Sequence, residues 1–163
     1  MPASDPRLAI RPCLGPEEYP RLVGIWRSAV RATHGFLAEE DFVRIESLLA
    51  PAYFPNVTLT VAERAGEPVG FAGVSAPEAG SGAGLEMLFV ANAARGTGVG
   101  SALLAEVVER QGVTRVDVNE QNPGAHGFYR SRGFAQVGRS ALDGDGRPYP
   151  ILHLELPARA VRG

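Results

Sequence analysis

Residues Leu88 to Leu104 read LFVANAARGTGVGSALL, and this stretch decides the fold. Leu88, Phe89 and Val90 close an apolar run, and five residues then turn before Gly96, Gly98 and Gly100 alternate. Beyond them Leu103, Leu104, Val107 and Val108 recur at helical spacing, predicting a helix over Gly98–Arg110. A strand, a loop, a glycine run and a helix in this order make an anion site. Glycines let backbone N–H groups approach a phosphate, the helix start adds partial positive charge, and Arg95 supplies a full charge at the rim. Three ligand readings compete. A P-loop is excluded, since it needs Gly-Lys-Ser/Thr and the chain has no lysine: all 16 basic residues are Arg. A dinucleotide site needs G-x-G-x-x-G directly off the strand, and the spacing here is G-x-G-x-G. Asp117 falls about where a ribose-binding acid would, so that reading is weakened without being removed. The third reading is a coenzyme A pyrophosphate.

Upstream, Leu8–Cys13 reads as a first strand and Glu17–Ala32 as an amphipathic helix, with Leu22, Ile25, Trp26, Ala29 and Val30 on one face. A second helix over Glu39–Leu49 is stopped by Pro51. Val57–Glu63 and Val69–Ser75 flank the turn Arg64–Glu67 and predict a hairpin. Ala76–Gly84 reads as a flexible loop and Leu85–Val90 as the next strand. Downstream, Val113–Val118 is a strand, Gly124–Arg132 a helix, and Phe134–Ser140 and Ile151–Leu156 the last strands. The order βααβββαβαββ, without repeats or linker, implies one domain over residues 1–163 of α/β (α+β) class, a mixed sheet with helices on its faces.

Composition narrows the function classes. A formal net charge of −2 argues against a nucleic-acid surface. No apolar run approaches the ~18 residues that span a bilayer, and the N-terminus has no signal-peptide character, so a cytoplasmic protein is expected. Cys13 is the only cysteine, so no intramolecular disulfide forms. No His, Cys and carboxylate grouping has metal-ligand spacing. The lack of lysine also excludes Schiff-base chemistry and self-acetylation on a lysine side chain.

Two blocks together carry a family resemblance. Arg95–Gly100 matches R/Q-x-x-G-x-G/A at every fixed position, and Asn119–Phe134, NEQNPGAHGFYRSRGF, matches N-x-x-N-x-x-A-x-x-F-Y-x-x-x-G-F throughout. In this order, about one βα unit apart, they resemble the GNAT superfamily of N-acetyltransferases. A narrower likeness, in Ala32–Leu37 and Asp145–Pro150, is to small bacterial members, some described as protein-lysine acetyltransferases.

The resemblance implies a mostly antiparallel mixed sheet of about seven strands with about four helices on both faces, splayed where the cofactor arm enters. It implies acetyl-CoA as co-substrate, no metal, and direct transfer to an amine within a ternary complex. Residues 86–90 would part from the strand near Asn119, and the backbone of Leu88 and Val90, with Phe89 between them, would pair with the pantetheine arm. Arg95, Gly96, Thr97, Gly98, Val99, Gly100 and Ser101 would cradle the pyrophosphate. Asn122 would bind the arm or cap a helix. Tyr129 is the expected general acid for the departing thiolate, and Glu86, with Glu120 in reserve, the expected general base. His34, Phe36, Asn119 and Tyr149 are the candidate acceptor-pocket residues, although a lone loop histidine is more often a surface residue. His126 and His153 are expected to face outward. The amine acceptor is undefined at this stage, a homodimer is open, and a catalytically silent acyl-CoA-binding module is the alternative.

Overall fold

The computed structural model describes residues 7–77 and 82–157. Part of the predicted Ala76–Gly84 loop lies outside these residues, and its end, Ala83 and Gly84, already belongs to a strand. Seven strands form one sheet: β1 (Leu8–Pro12), β2 (Thr58–Arg64), β3 (Glu67–Ser75), β4 (Ala83–Val90), β5 (Val113–Asn119), β6 (Ala135–Ser140) and β7 (Ile151–Glu155), in the order β1-β2-β3-β4-β5-β7-β6. Among the described residues only β4 and β5 are parallel neighbours. Four helices accompany them: α1 (Tyr19–Thr33), α2 (Glu39–Leu48), α3 (Val99–Gln111) and α4 (Pro123–Ser131).

Periodicity explains the layering. On one face, the buried stripe of α1, Leu22, Ile25, Trp26 and Val30, meets Phe42 of α2 and Val61 and Phe71 of the sheet. On the other, Val99, Leu103, Leu104 and Val107 of α3 and Tyr129 of α4 meet Leu85, Val116 and Leu154. Gly70 allows α3 to sit this close, because a Cβ there would lie 2.9 Å from Val99 Cγ1 and 3.1 Å from Phe89 O. The sheet therefore separates α1 and α2 from α3 and α4, which fixes the sides from which groups reach the site.

Three boundaries differ from the sequence expectation for physical reasons. The first helix begins later, because Pro16–Glu18 forms a 3-10 turn held by the Glu18 carboxylate. That carboxylate accepts Arg11 Nη1 (3.0 Å), Arg11 Nη2 (2.7 Å) and the Leu14 N–H (3.0 Å). Pro51 does not end the second helical path; it lies in a single π-turn, Leu49–Tyr53, where its missing donor is accommodated. In β4, Met87 faces Gly73 but Leu85 faces Val74, so Glu86 is the extra residue of a bulge.

The Arg11 guanidinium holds the Glu18 carboxyl at about 2, below its ordinary 4.5. The stabilisation from this depressed group is complete above pH 4.5 and is lost as pH falls toward 2. Glu18→Gln is expected to cost about 2 kcal/mol in urea denaturation at pH 7. The difference from the parent protein should close between pH 4.5 and 2.

Candidate active site: a groove between parted strands

Parallel pairing of β4 with β5 runs through Ala83↔Val113, Gly84↔Arg115 and Leu85↔Val116 and stops there. From Asp117 onward β5 pairs with β7 alone. On its other edge β4 stays bound to β3, and the Ala91 N–H bonds Val69 O at 2.9 Å. Antiparallel ladders alternate, so Phe89 bonds toward β3 while Leu88 and Val90 turn their N–H and C=O groups toward the gap. An extended ligand strand could pair there.

A cavity of ≈ 500 Å³ occupies this gap. All of the predicted cofactor residues line it except Thr97. The Thr97 hydroxyl is spent inside the loop, donating to Ala94 O (2.5 Å) and accepting from Arg64 Nη1 (3.1 Å). Gly96 (φ 74°) and Gly98 (φ 91°) occupy the left-handed region, which disfavours any side chain there. Gly98 precedes α3, and the Ala102 N–H takes its carbonyl at 3.0 Å. The N–H groups of Val99, Gly100 and Ser101 are therefore directed out of the helix end, where the macrodipole also favours an anion.

Arg95 stands exposed at one rim of the groove. Arg132 stands at the other, and its sequence position gives no hint of this. It follows α4, lies over the Phe128 ring at 4.8 Å and hydrogen-bonds Ser101 Oγ through Nη2. Only the packing of α4 beside α3 brings the two together. Asn122 does both things expected of it, lining the groove and capping α4, with Oδ1 accepting the Ala125 N–H at 3.2 Å.

Tyr129 faces the groove from α4, buried at 6% exposure, its ring packed against Phe128 and Phe134. Burial pushes its phenol well above the ordinary 10, so the hydroxyl carries its proton throughout the working range. Among the described residues that hydroxyl has no hydrogen-bond partner.

The candidate bases lie elsewhere. The Glu86 carboxylate turns back along β4, accepting Ser75 Oγ at 3.1 Å and lying 3.0 Å from where a Gly84 Cβ would be. It lines a second cavity of ≈ 530 Å³ on the α1 side, with Trp26, Tyr53, Met87 and Arg115, and this cavity shares Phe89 with the groove. Glu120 is engaged by Arg139 at 2.6 and 3.0 Å, and this pairing holds its carboxyl below the ordinary value.

Of the acceptor-pocket candidates, His34 alone lines the groove. Phe36 backs it, with ring centroids 5.2 Å apart, and Tyr149 backs Phe36 at 6.1 Å. The Tyr149 hydroxyl donates to buried Asp41 at 2.5 Å and accepts the Ala38 N–H at 3.1 Å, so it braces the wall rather than facing a ligand. Arg44 and Arg147 pair with the same carboxylate. Asn119 borders neither cavity and is paired in register with Ile151. His126 is half-buried, with Nε2 enclosed and without a partner among the described residues, not exposed as expected. His153 does not simply face outward: it bridges Asp117 Oδ1 and Ser140 Oγ, each at 2.7 Å. Among the described residues no three His, Cys, Asp or Glu side chains are grouped to hold a metal, and no helix is long and apolar enough to cross a membrane.

The chain, with its seven-stranded mixed sheet parted at β4 and β5 and a glycine-led helix end at the opening, belongs to the GNAT acetyltransferase family. The model of the GNAT acetyltransferase domain matches residues 55–136. The chain is 39% identical over 139 residues to the peptidyl-lysine N-acetyltransferase YjaB of Escherichia coli (strain K12), covering 85% of this chain and 90% of that protein. The solution structure of apo-form YjaB from Escherichia coli superposes with a TM-score of 0.79 at 37% identity, over 91% of this chain and 96% of that one. The fold is shared, at 20% identity and a TM-score of 0.69, with the PaiA N-acetyltransferase of Thermoplasma acidophilum in complex with coenzyme A, over 92% and 99% of the two chains.

Arg132→Ala should raise the coenzyme A dissociation constant about tenfold, because a charge-assisted contact is lost at the groove rim. Gly98→Ala should weaken binding at least as much by straining the loop. Isothermal titration with coenzyme A at two salt concentrations checks both, and the Arg132→Ala penalty should shrink at high salt.

Proposed function

We propose that this chain transfers the acetyl group of acetyl-CoA to a primary amine by direct attack in a ternary complex, with Tyr129 as general acid. The observation that carries this reading is the parting of β4 and β5 with two features in one groove: the helix-end anion site and a buried protonated phenol. The donor set fits the co-substrate. N–H groups of Val99, Gly100 and Ser101 with Arg95 and Arg132 suit a pyrophosphate, and the free edge of Leu88 and Val90 suits an extended amide-bearing arm. When bound, the co-substrate supplies the activated thioester; the chain's residues orient it and handle the protons. Tyr129 Oη gives its proton to the departing sulfur as the carbon–sulfur bond breaks.

For the acceptor, the relatives named peptidyl-lysine N-acetyltransferases point to a lysine side chain. The second cavity supports that choice. Its apolar walls, with Trp26, Leu49, Met87 and Phe89, suit an aliphatic stem, and Glu86 suits an ammonium on its way to the groove. The same reading places the protein in the cytoplasm, working without a metal.

Thermal unfolding with and without acetyl-CoA, with ATP and NAD as controls, tests the donor. At ~100-fold above the dissociation constant acetyl-CoA should add about 2.7 kcal/mol of stability, and the controls none. Thiol release with a lysine-containing peptide tests the transfer. Tyr129→Phe should lower kcat by about 10²-fold with little change in acetyl-CoA affinity. Unchanged turnover would remove Tyr129 as the acid, and binding without transfer to any amine would leave a silent acyl-CoA-binding module. Because the phenol stays protonated, activity should show no decline from its ionisation up to pH 10.

A further inference from the structure

The α1 terminus holds a histidine whose protonation can be worked out from its neighbours. Thr33 Oγ1 lies 2.8 Å from Ala29 O, an acceptor that carries no hydrogen. A hydroxyl has one proton, so that contact uses it. The same Oγ1 lies 2.7 Å from His34 Nδ1, and with its proton committed the hydroxyl can only accept there. Nδ1 therefore carries the hydrogen and Nε2 carries a lone pair. Nε2 has no hydrogen-bond partner among the described residues, and the ring forms part of the groove wall. The His34 N–H bonds Val30 O at 2.8 Å, and Phe36 packs against the ring, so the imidazole is held from three directions.

We propose that His34 is the general base of the transfer, its Nε2 taking the proton of the attacking amine while Thr33 holds the ring in the Nδ1–H form. The inference rests on the acetyltransferase reading above. Position supports the division of labour. His34 comes from α1 on one face of the sheet and Tyr129 from α4 on the other, and both line the gap between the parted strands. As the nitrogen–carbon bond forms and the carbon–sulfur bond breaks, His34 Nε2 receives one proton from the nitrogen and Tyr129 Oη delivers one to the sulfur. Exchange with water resets both groups, so amine and thioester become amide and thiol.

Burial alone lowers the His34 pKa below the ordinary 6.5, so the ring is a neutral proton acceptor at pH 7. The charged and titratable groups around it are Arg95 and Arg132 at the rims, Tyr129 across the gap, and Tyr149 and Asp41 behind Phe36.

The first test needs no activity. In the ¹⁵N imidazole spectrum of the unliganded protein His34 should be the Nδ1–H tautomer and should titrate below 6.5; an Nε2–H tautomer would overturn the proposal. In the second, His34→Gln should lose about 10²-fold in kcat with a lysine peptide while acetyl-CoA still raises the melting temperature as in the parent. The acid limb of kcat/KM, falling below pH 6.5 in the parent, should vanish in this variant. Thr33→Val should lose several-fold in kcat and Thr33→Ser should retain it. Full turnover by His34→Gln would refute the base alone. Absence of acetyl-CoA stabilisation and turnover in the parent would instead refute the acetyltransferase reading.

Discussion

The parallel ladder between β4 and β5 lasts only to Leu85 and Val116, and each strand then follows its other neighbour. β4 remains fastened to β3 through its antiparallel register, and β5 to β7. The Glu86 bulge adds a residue to β4 where the two strands part, increasing its local twist. Beyond Leu85 and Val116 each strand is paired on its outer edge only. The gap leaves backbone donors and acceptors on Leu88 and Val90 for a ligand to use. Unpaired backbone groups of this kind are costly when buried, so they are found where something else completes them.

Around the gap the chain places two arginines and a helix end at the rims and two titratable rings, Tyr129 and His34, on the walls. Arg95, Arg132 and the α3 terminus carry the positive charge. Burial favours the neutral forms of both Tyr129 and His34, raising the phenol's pKa and lowering the imidazole's. The carboxylates stand apart from these rings: Glu86 is turned to Ser75 and Glu120 is paired with Arg139. An anionic ligand therefore meets no opposing carboxylate inside the groove.

What the sequence revealed was whatever is local. The glycine run, the helix after it and the Asn119–Phe134 block each encode their chemistry within a few residues, and nearly all of the groove follows from them. The seven strands were legible because alternation and turn signals are local as well. The rest depends on residues far apart in the chain. Arg132 reaches Ser101 across 31 positions, and nothing near it announces the direction. Thr97 sits inside the motif, but Arg64 of β2 holds its hydroxyl. Glu86 lies on the right strand, and only the bulge and Ser75 reveal that its carboxylate turns away. His34 looks like an ordinary loop residue until Phe36 and the groove wall half-bury it.

The brace between Tyr149 and Asp41 joins positions 108 apart, linking the start of α2 to the segment just before the last strand. Closing so long a loop is slow compared with forming α1 or the β2–β3 hairpin. In a chain emerging from the ribosome, the glycine loop and the β1–β4 ladders precede β7, which is the partner of both β5 and β6. Docking of the last strand therefore secures the outer edge of β5 and the wall behind Phe36 together, so the two sides of the groove are completed in one step.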